Sequence, residues 1–102
     1  MKWYHYLMCL FGGAFVANFF PHFVNGISGA EFPTPFASPP PPAGKSPAPL
    51  NVAWALANLA AGYLLLRYGN CSVKSWPAVI IAFIGFAGMA LMLSNVFSAI
   101  PR

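Results

Sequence analysis

The sequence predicts an all-α integral membrane protein of three transmembrane helices, with a proline-rich loop between the first and second. Three observations carry this expectation. Hydrophobic residues make up 59% of the 102-residue chain and charged residues 6%, whereas an ordinary soluble domain is roughly a quarter charged. A small soluble domain exposes much of its chain, so this few charges would leave its surface uncovered. The apolar residues fall into three stretches, 3–21, 50–67 and 77–100, each near the length that crosses a hydrocarbon core. The many aliphatic and aromatic side chains also exclude a disordered chain, and residues 1–102 read as a single membrane domain.

The first span, 3–21, holds no charge after Lys2. Trp3, Tyr4 and Tyr6 stand at one end, and Phe19, Phe20 and Phe23 at the other. At 1.5 Å per residue it reaches about 30 Å. Lys2 would also suit the start of a signal peptide. However, the exit Ala17-Asn18-Phe19-Phe20-Pro21 puts bulky rings where a small-x-small cleavage site belongs, and Tyr6-Leu7-Met8 makes Cys9 a poor lipoprotein site. An uncleaved span is therefore expected.

The second span, 50–67, is the shortest, and Arg67 at its end can snorkel to the headgroups. Ala53, Ala57 and Ala61 recur every fourth position, the spacing that lets two helix backbones approach inside lipid. They are expected to form a packing face, although alanine is also common in helices generally. The third span, 77–100, starts with Trp76 as an interface anchor and Pro77 in the first turn, where a missing N–H costs nothing. Its interior, 78–93, has no polar side chain, so the polar face of a soluble helix is absent. Gly85 and Gly88 mark candidate close approaches to a neighbour.

Three spans place the termini on opposite sides of the membrane. Lys2, Arg67 and Lys74 fall on the N-terminal side, the last two bounding the short basic loop 67–76. Lys45, Arg102 and Glu31 fall on the other. Counting Lys and Arg near span ends puts the N-terminus in the cytoplasm and the C-terminus outside. The five cations are spread singly, so they build no phosphate-binding face, and nucleic acid is not an expected partner. Cys9 lies in lipid or a helix interface and Cys71 in a loop, with no Cys-x-x-Cys; no structural disulfide is expected.

The loop 22–49 is dense in proline from Pro33 to Pro49. Proline fixes φ and biases the preceding residue towards extended backbone, so this run is expected to be largely polyproline II, a stiff spacer. Asn25-Gly26 and Ser28-Gly29 read as turns. Phe23, Ile27, Phe32 and Phe36 are expected to lie against the membrane surface or the helix ends. Polyproline II is also a preformed ligand shape, but a position outside the cytoplasm removes its usual cytoplasmic readers.

The segment Asn18-Phe19-Phe20-Pro21-His22-Phe23-Val24-Asn25-Gly26, followed by Phe32-Pro33-Thr34-Pro35-Phe36-Ala37, resembles a family of small, uncharacterised bacterial membrane proteins. These carry a similar Pro-His-Phe and Phe-Pro-Thr-Pro-Phe segment between hydrophobic spans. The resemblance implies a bacterial inner (cytoplasmic) membrane, and it implies no activity.

Amides in hydrocarbon need hydrogen-bond partners, which makes Asn18, Asn58 and Asn95 informative. Asn51 and Asn58 share a helix face, and Ser94 and Ser98 stack on one face of the third span. With His22 above them, Asn18, Asn51, Asn58, Ser94, Asn95 and Ser98 form the expected polar cluster at one end of the bundle. His22 and Glu31 are too few for a metal site, and no cofactor is expected. No Ser-His-Asp or Cys-His set and no phosphate loop is legible, and no carboxylate lies in a span to couple protons. The expectation is a non-catalytic accessory, stabilising or assembly subunit that meets a membrane-protein partner, or itself, through helix–helix contacts in the lipid bilayer. The alternative is an oligomeric pore or carrier for a small solute that uses the Asn/Ser cluster.

Overall fold

The computed structural model describes residues 1–40 and 44–99, so Pro41, Pro42, Ile100 and Arg102 lie outside the described residues. It contains three helices: α1 (Trp3–Ile27), α2 (Ala48–Tyr68) and α3 (Trp76–Phe97). Each is long and apolar enough to cross a membrane, with the loop containing Pro33 joining the first two. The architecture is that of a three-span, all-α membrane protein.

α1 does not stop at Pro21, where its span was expected to end; it runs on to Ile27. Proline removes one helical N–H, yet membrane helices tolerate it where packing holds the backbone on both sides. Here Asn25 Nδ2 donates to the Pro21 carbonyl at 2.7 Å in the following turn. The helix then ends in a Schellman turn. Ala30 N–H reaches Asn25 O at 2.9 Å, and Gly29, at φ +77°, supplies the left-handed residue that such a turn requires.

α2 ends the same way with Asn70 in the left-handed position, at φ 56°, and Cys71 N–H reaching Leu66 O at 3.1 Å. This reversal lays the next residues against α1. Gly69 packs so closely on Met8 and His5 that an added Cβ would lie 2.9 Å from Met8 Cβ. Cys71 arrives beside Cys9, with Cα atoms 5.9 Å apart, and the two form a disulfide. The expectation of unpaired cysteines fails because α1 extends past the end of α2, so a residue within the first helix is level with the second loop.

α1 is the central helix. It packs against α2 on one side and α3 on the other, and among the described residues α2 and α3 do not meet. Small residues permit both crossings. A Cβ on Gly62 would lie 3.1 Å from the Gly12 carbonyl, and one on Gly13 or Gly85 would overlap the carbonyl of Ala82 or Leu10 across the α1–α3 contact. Gly88, in contrast, faces open space. The expected alanine face is also corrected: Ala53 and Ala57 are exposed, and the buried side of α2 is Asn51, Ala55, Asn58 and Gly62. Both sets have helical spacing, and the amides decide between them because they need partners.

The proline-rich loop is not a free spacer. Phe32 and Ser46 pair as an antiparallel bridge, with N–H···O distances of 3.2 and 2.9 Å. Pro33, Thr34 and Ser46 are buried against the bundle.

Candidate polar site beneath the proline-rich loop

The site begins with Asn51 in the first turns of α2, which is completely buried. Its Nδ2 donates to Phe32 O and Ser46 O, both at 3.0 Å, with Pro47 O at 3.3 Å. These three carbonyls fix the amide, so Oδ1 points to His22 Nδ1 at 2.9 Å. An amide oxygen can only accept, so Nδ1 of His22 carries the proton and donates. One asparagine therefore ties the bridged loop, the start of α2 and the late part of α1 together. Thr34 Oγ1 and Ser46 Oγ, 2.6 Å apart, close the loop from within.

A second amide pair lies deeper. Asn18 Nδ2 donates to Asn58 Oδ1 at 2.9 Å, and Asn58 Nδ2 donates to Trp54 O at 2.8 Å. It joins α1 to α2 one to two turns from the first pair.

Between these pairs, under the loop and between α2 and α3, is an open-sided pocket of about 180 Å³ bordered by Asn18, His22, Thr34, Trp54, Val96 and Phe97. A cavity of about 150 Å³ is enough for a benzene-sized molecule. The His22 ring meets Phe32, Trp54 and Phe97 edge-on, with centroids 5.5, 6.5 and 6.2 Å away. With Nδ1 used as donor in the neutral imidazole, Nε2 is an acceptor that makes no hydrogen bond among the described residues; no fully buried side-chain N or O is left unpaired there, so this nitrogen keeps some access to the open side of the pocket. Asn18 Oδ1, on a half-buried side chain, is a second acceptor with no hydrogen bond among the described residues. The site carries no formal charge, and among the described residues no three His, Cys, Asp or Glu side chains group to hold a metal.

The seven residues singled out from the sequence are thus distributed over separate places. Asn18 joins Asn58, and His22 joins Asn51. Ser94 and Ser98 instead line an apolar groove of about 510 Å³ between α1 and α3, with Ala17, Phe20, Phe86 and Phe97. Asn95 is exposed, and its carbonyl accepts from Ser98 Oγ at 2.7 Å. Thr34, Ser46 and Trp54 belong to the site but were not anticipated. Only the loop pairing brings the first two there, and that pairing has no local signature. No protein-family model, curated protein or solved structure matches the chain.

Proposed function

We propose that this chain is the subunit of an oligomeric carrier or pore for a small uncharged solute, and that it is non-catalytic. The observation that carries this reading is the pocket under the loop, bordered by the buried His22 and the half-buried Asn18, each with an acceptor that its own hydrogen bonds leave unused. Acceptors beside aromatic walls suit a compact solute bearing an N–H or O–H. An ion would lose its hydration there without a counter-charge. Three helices of which two do not touch enclose little by themselves, so several copies would complete a path. The resemblance of the Pro-His-Phe segment supports a bacterial inner membrane as the setting.

The test is flux through proteoliposomes, following shrinkage and re-swelling with small neutral solutes such as urea, glycerol and benzyl alcohol. Uptake above protein-free vesicles, lowered by Trp54→Ala, is the expected result. Flux equal to empty vesicles for all solutes would reject the reading. A second reading, an accessory subunit, is favoured by the saturation of Asn51 and Asn58, whose amides are spent on internal bonds. It would be the one left standing by a null flux together with a co-purifying membrane partner.

A further inference from the structure

The two ends of the bundle differ in chemistry. One holds the Cys9–Cys71 disulfide together with Lys2, Arg67 and Lys74. The other holds the proline-rich loop, the His22–Asn51 pair and the end of α3. We infer that the disulfide end faces the oxidising side of the membrane and the proline-rich loop faces the cytoplasm, the reverse of the orientation that the charges favour.

Two effects compete. The charge rule has three cations at the disulfide end against Lys45 at the other, to which the sequence adds Arg102, outside the described residues but following the end of α3; that is a margin of one residue, and the rule's strength lies in large Lys/Arg asymmetries. The thiol chemistry is closer to all-or-none. The fold brings Cys9 and Cys71 to a Cα separation of 5.9 Å, inside the range that a disulfide spans. In the cytoplasm, glutathione and thioredoxin keep such a pair reduced; outside it, the pair oxidises. The reaction removes one proton from each thiol and two electrons from the pair, which pass to an extracytoplasmic thiol oxidant whose own disulfide is reduced to a dithiol. Cys9 is then fully buried, so the bond is shielded from reductants once formed. A margin of one charge is the weaker constraint.

This inference rests on the disulfide and not on the carrier reading. Its consequence is that the cavity at His22 lies near the cytoplasmic surface, and that the exposed prolines of the loop are offered to cytoplasmic partners.

The full chain, expressed in a bacterial host, provides the test. Green fluorescent protein fused after Arg102 should fluoresce, and alkaline phosphatase at the same point should be inactive. In acid-quenched cells a maleimide polymer should add nothing to the chain without reductant and two adducts after reduction. In a host lacking its extracytoplasmic thiol oxidase, the unreduced sample should also gain two adducts. The Cys9→Ser, Cys71→Ser chain should keep its C-terminal reporter in the cytoplasm, because insertion and not the bond sets orientation. An active C-terminal phosphatase would overturn the inference. So would two free thiols in the ordinary host, or oxidation that is indifferent to the oxidase.

Discussion

Replacing Asn51 with leucine removes the one side chain that holds loop, α2 and α1 together, and its cost can be worked bond by bond. Phe32 O keeps the N–H of Ser46, Ser46 O keeps that of Phe32, and Pro47 O keeps that of Asn51 itself, so no carbonyl is orphaned. His22 loses its acceptor but can move its proton to Nε2, on a ring that borders the pocket. The two N–H protons of Asn51, shared among three carbonyls, amount to two carbonyl bonds, and with the imidazole bond the loss is three bonds at about 1 kcal/mol each before the His22 proton shift recovers part, or about 2–3 kcal/mol in all. At 1.4 kcal/mol per factor of ten, the open-loop population rises roughly 30- to 140-fold. Trypsin reads this directly, because the Lys45–Ser46 bond joins an exposed residue to a buried, bridged one. Where opening is fast relative to cleavage, the rate follows the open population. Cleavage after Lys45, identified by fragment mass, should accelerate by that factor in N51L. In N58L, which loses an amide pair without loop bonds, it should stay near the unsubstituted rate. Equal cleavage at Lys45 in all three chains would refute the assignment of Asn51 as the loop anchor.

Four other outcomes are expected. Gly13→Leu or Gly85→Leu should abolish monodisperse purification in detergent, since each side chain must start inside a facing carbonyl, while Gly88→Leu should behave normally. Ala55→Leu should lower stability by about 1–3 kcal/mol through overpacking, and Ala57→Leu, on the exposed side, by much less; thermal melts in detergent compare them. Reducing the disulfide of the purified protein should lower its melting temperature, because releasing a 62-residue closure frees up to about 4 kcal/mol of unfolded-chain entropy in the simple loop model. Spin-label distances should be broader between the Phe97 end of α3 and α1 than between α2 and α1. A uniformly narrow set would mean that all three helices are held alike.

The fold was legible because lipid imposes a simple rule: a helix that crosses it must be long and apolar, and nothing in 78–93 offers another reading. What was not legible is which faces meet. A uniformly apolar helix has no polar side to exclude, so Ala53, Ala57 and Ala61 and the true set Asn51, Ala55, Asn58 and Gly62 look equally good by spacing. The expected cluster grouped Asn18 with Asn95, but Asn18 meets Asn58 because α1 lies against α2 along that face, and Asn95 is exposed. The disulfide was hidden by helix overlap: with Cys9 assigned to lipid or a helix interface and Cys71 to a loop, nothing in the sequence shows that the start of α1 runs past the end of α2 and brings the two level. The role of Thr34 and Ser46 depends on a pairing across twelve residues of mostly proline-rich chain, which no residue-by-residue reading contains.

The distribution of tethers assigns motion to one helix. α1 and α2 are joined at both ends, by the disulfide that reaches the start of the loop after α2 and by His22–Asn51, with Asn18–Asn58 between. Relative movement of this pair would break several bonds at once. α3 is different. Among the described residues no side-chain hydrogen bond from Trp76–Phe97 reaches another helix. Its start is held close by the short connection from Cys71, its middle is seated on Gly13 and Leu10, and the aromatic contacts at its end are those of Phe97 with Phe32 and His22. Aromatic contacts of this kind contribute about 0.5–1.5 kcal/mol each, less than the bonds at Asn51 together. A pivot near Gly85 with a free Phe97 end would widen the space bordered by His22, Trp54 and Phe97 while leaving the loop anchored. The pocket at His22 lies where the least-tethered helix borders it, so displacement of α3 there would leave the amide network intact.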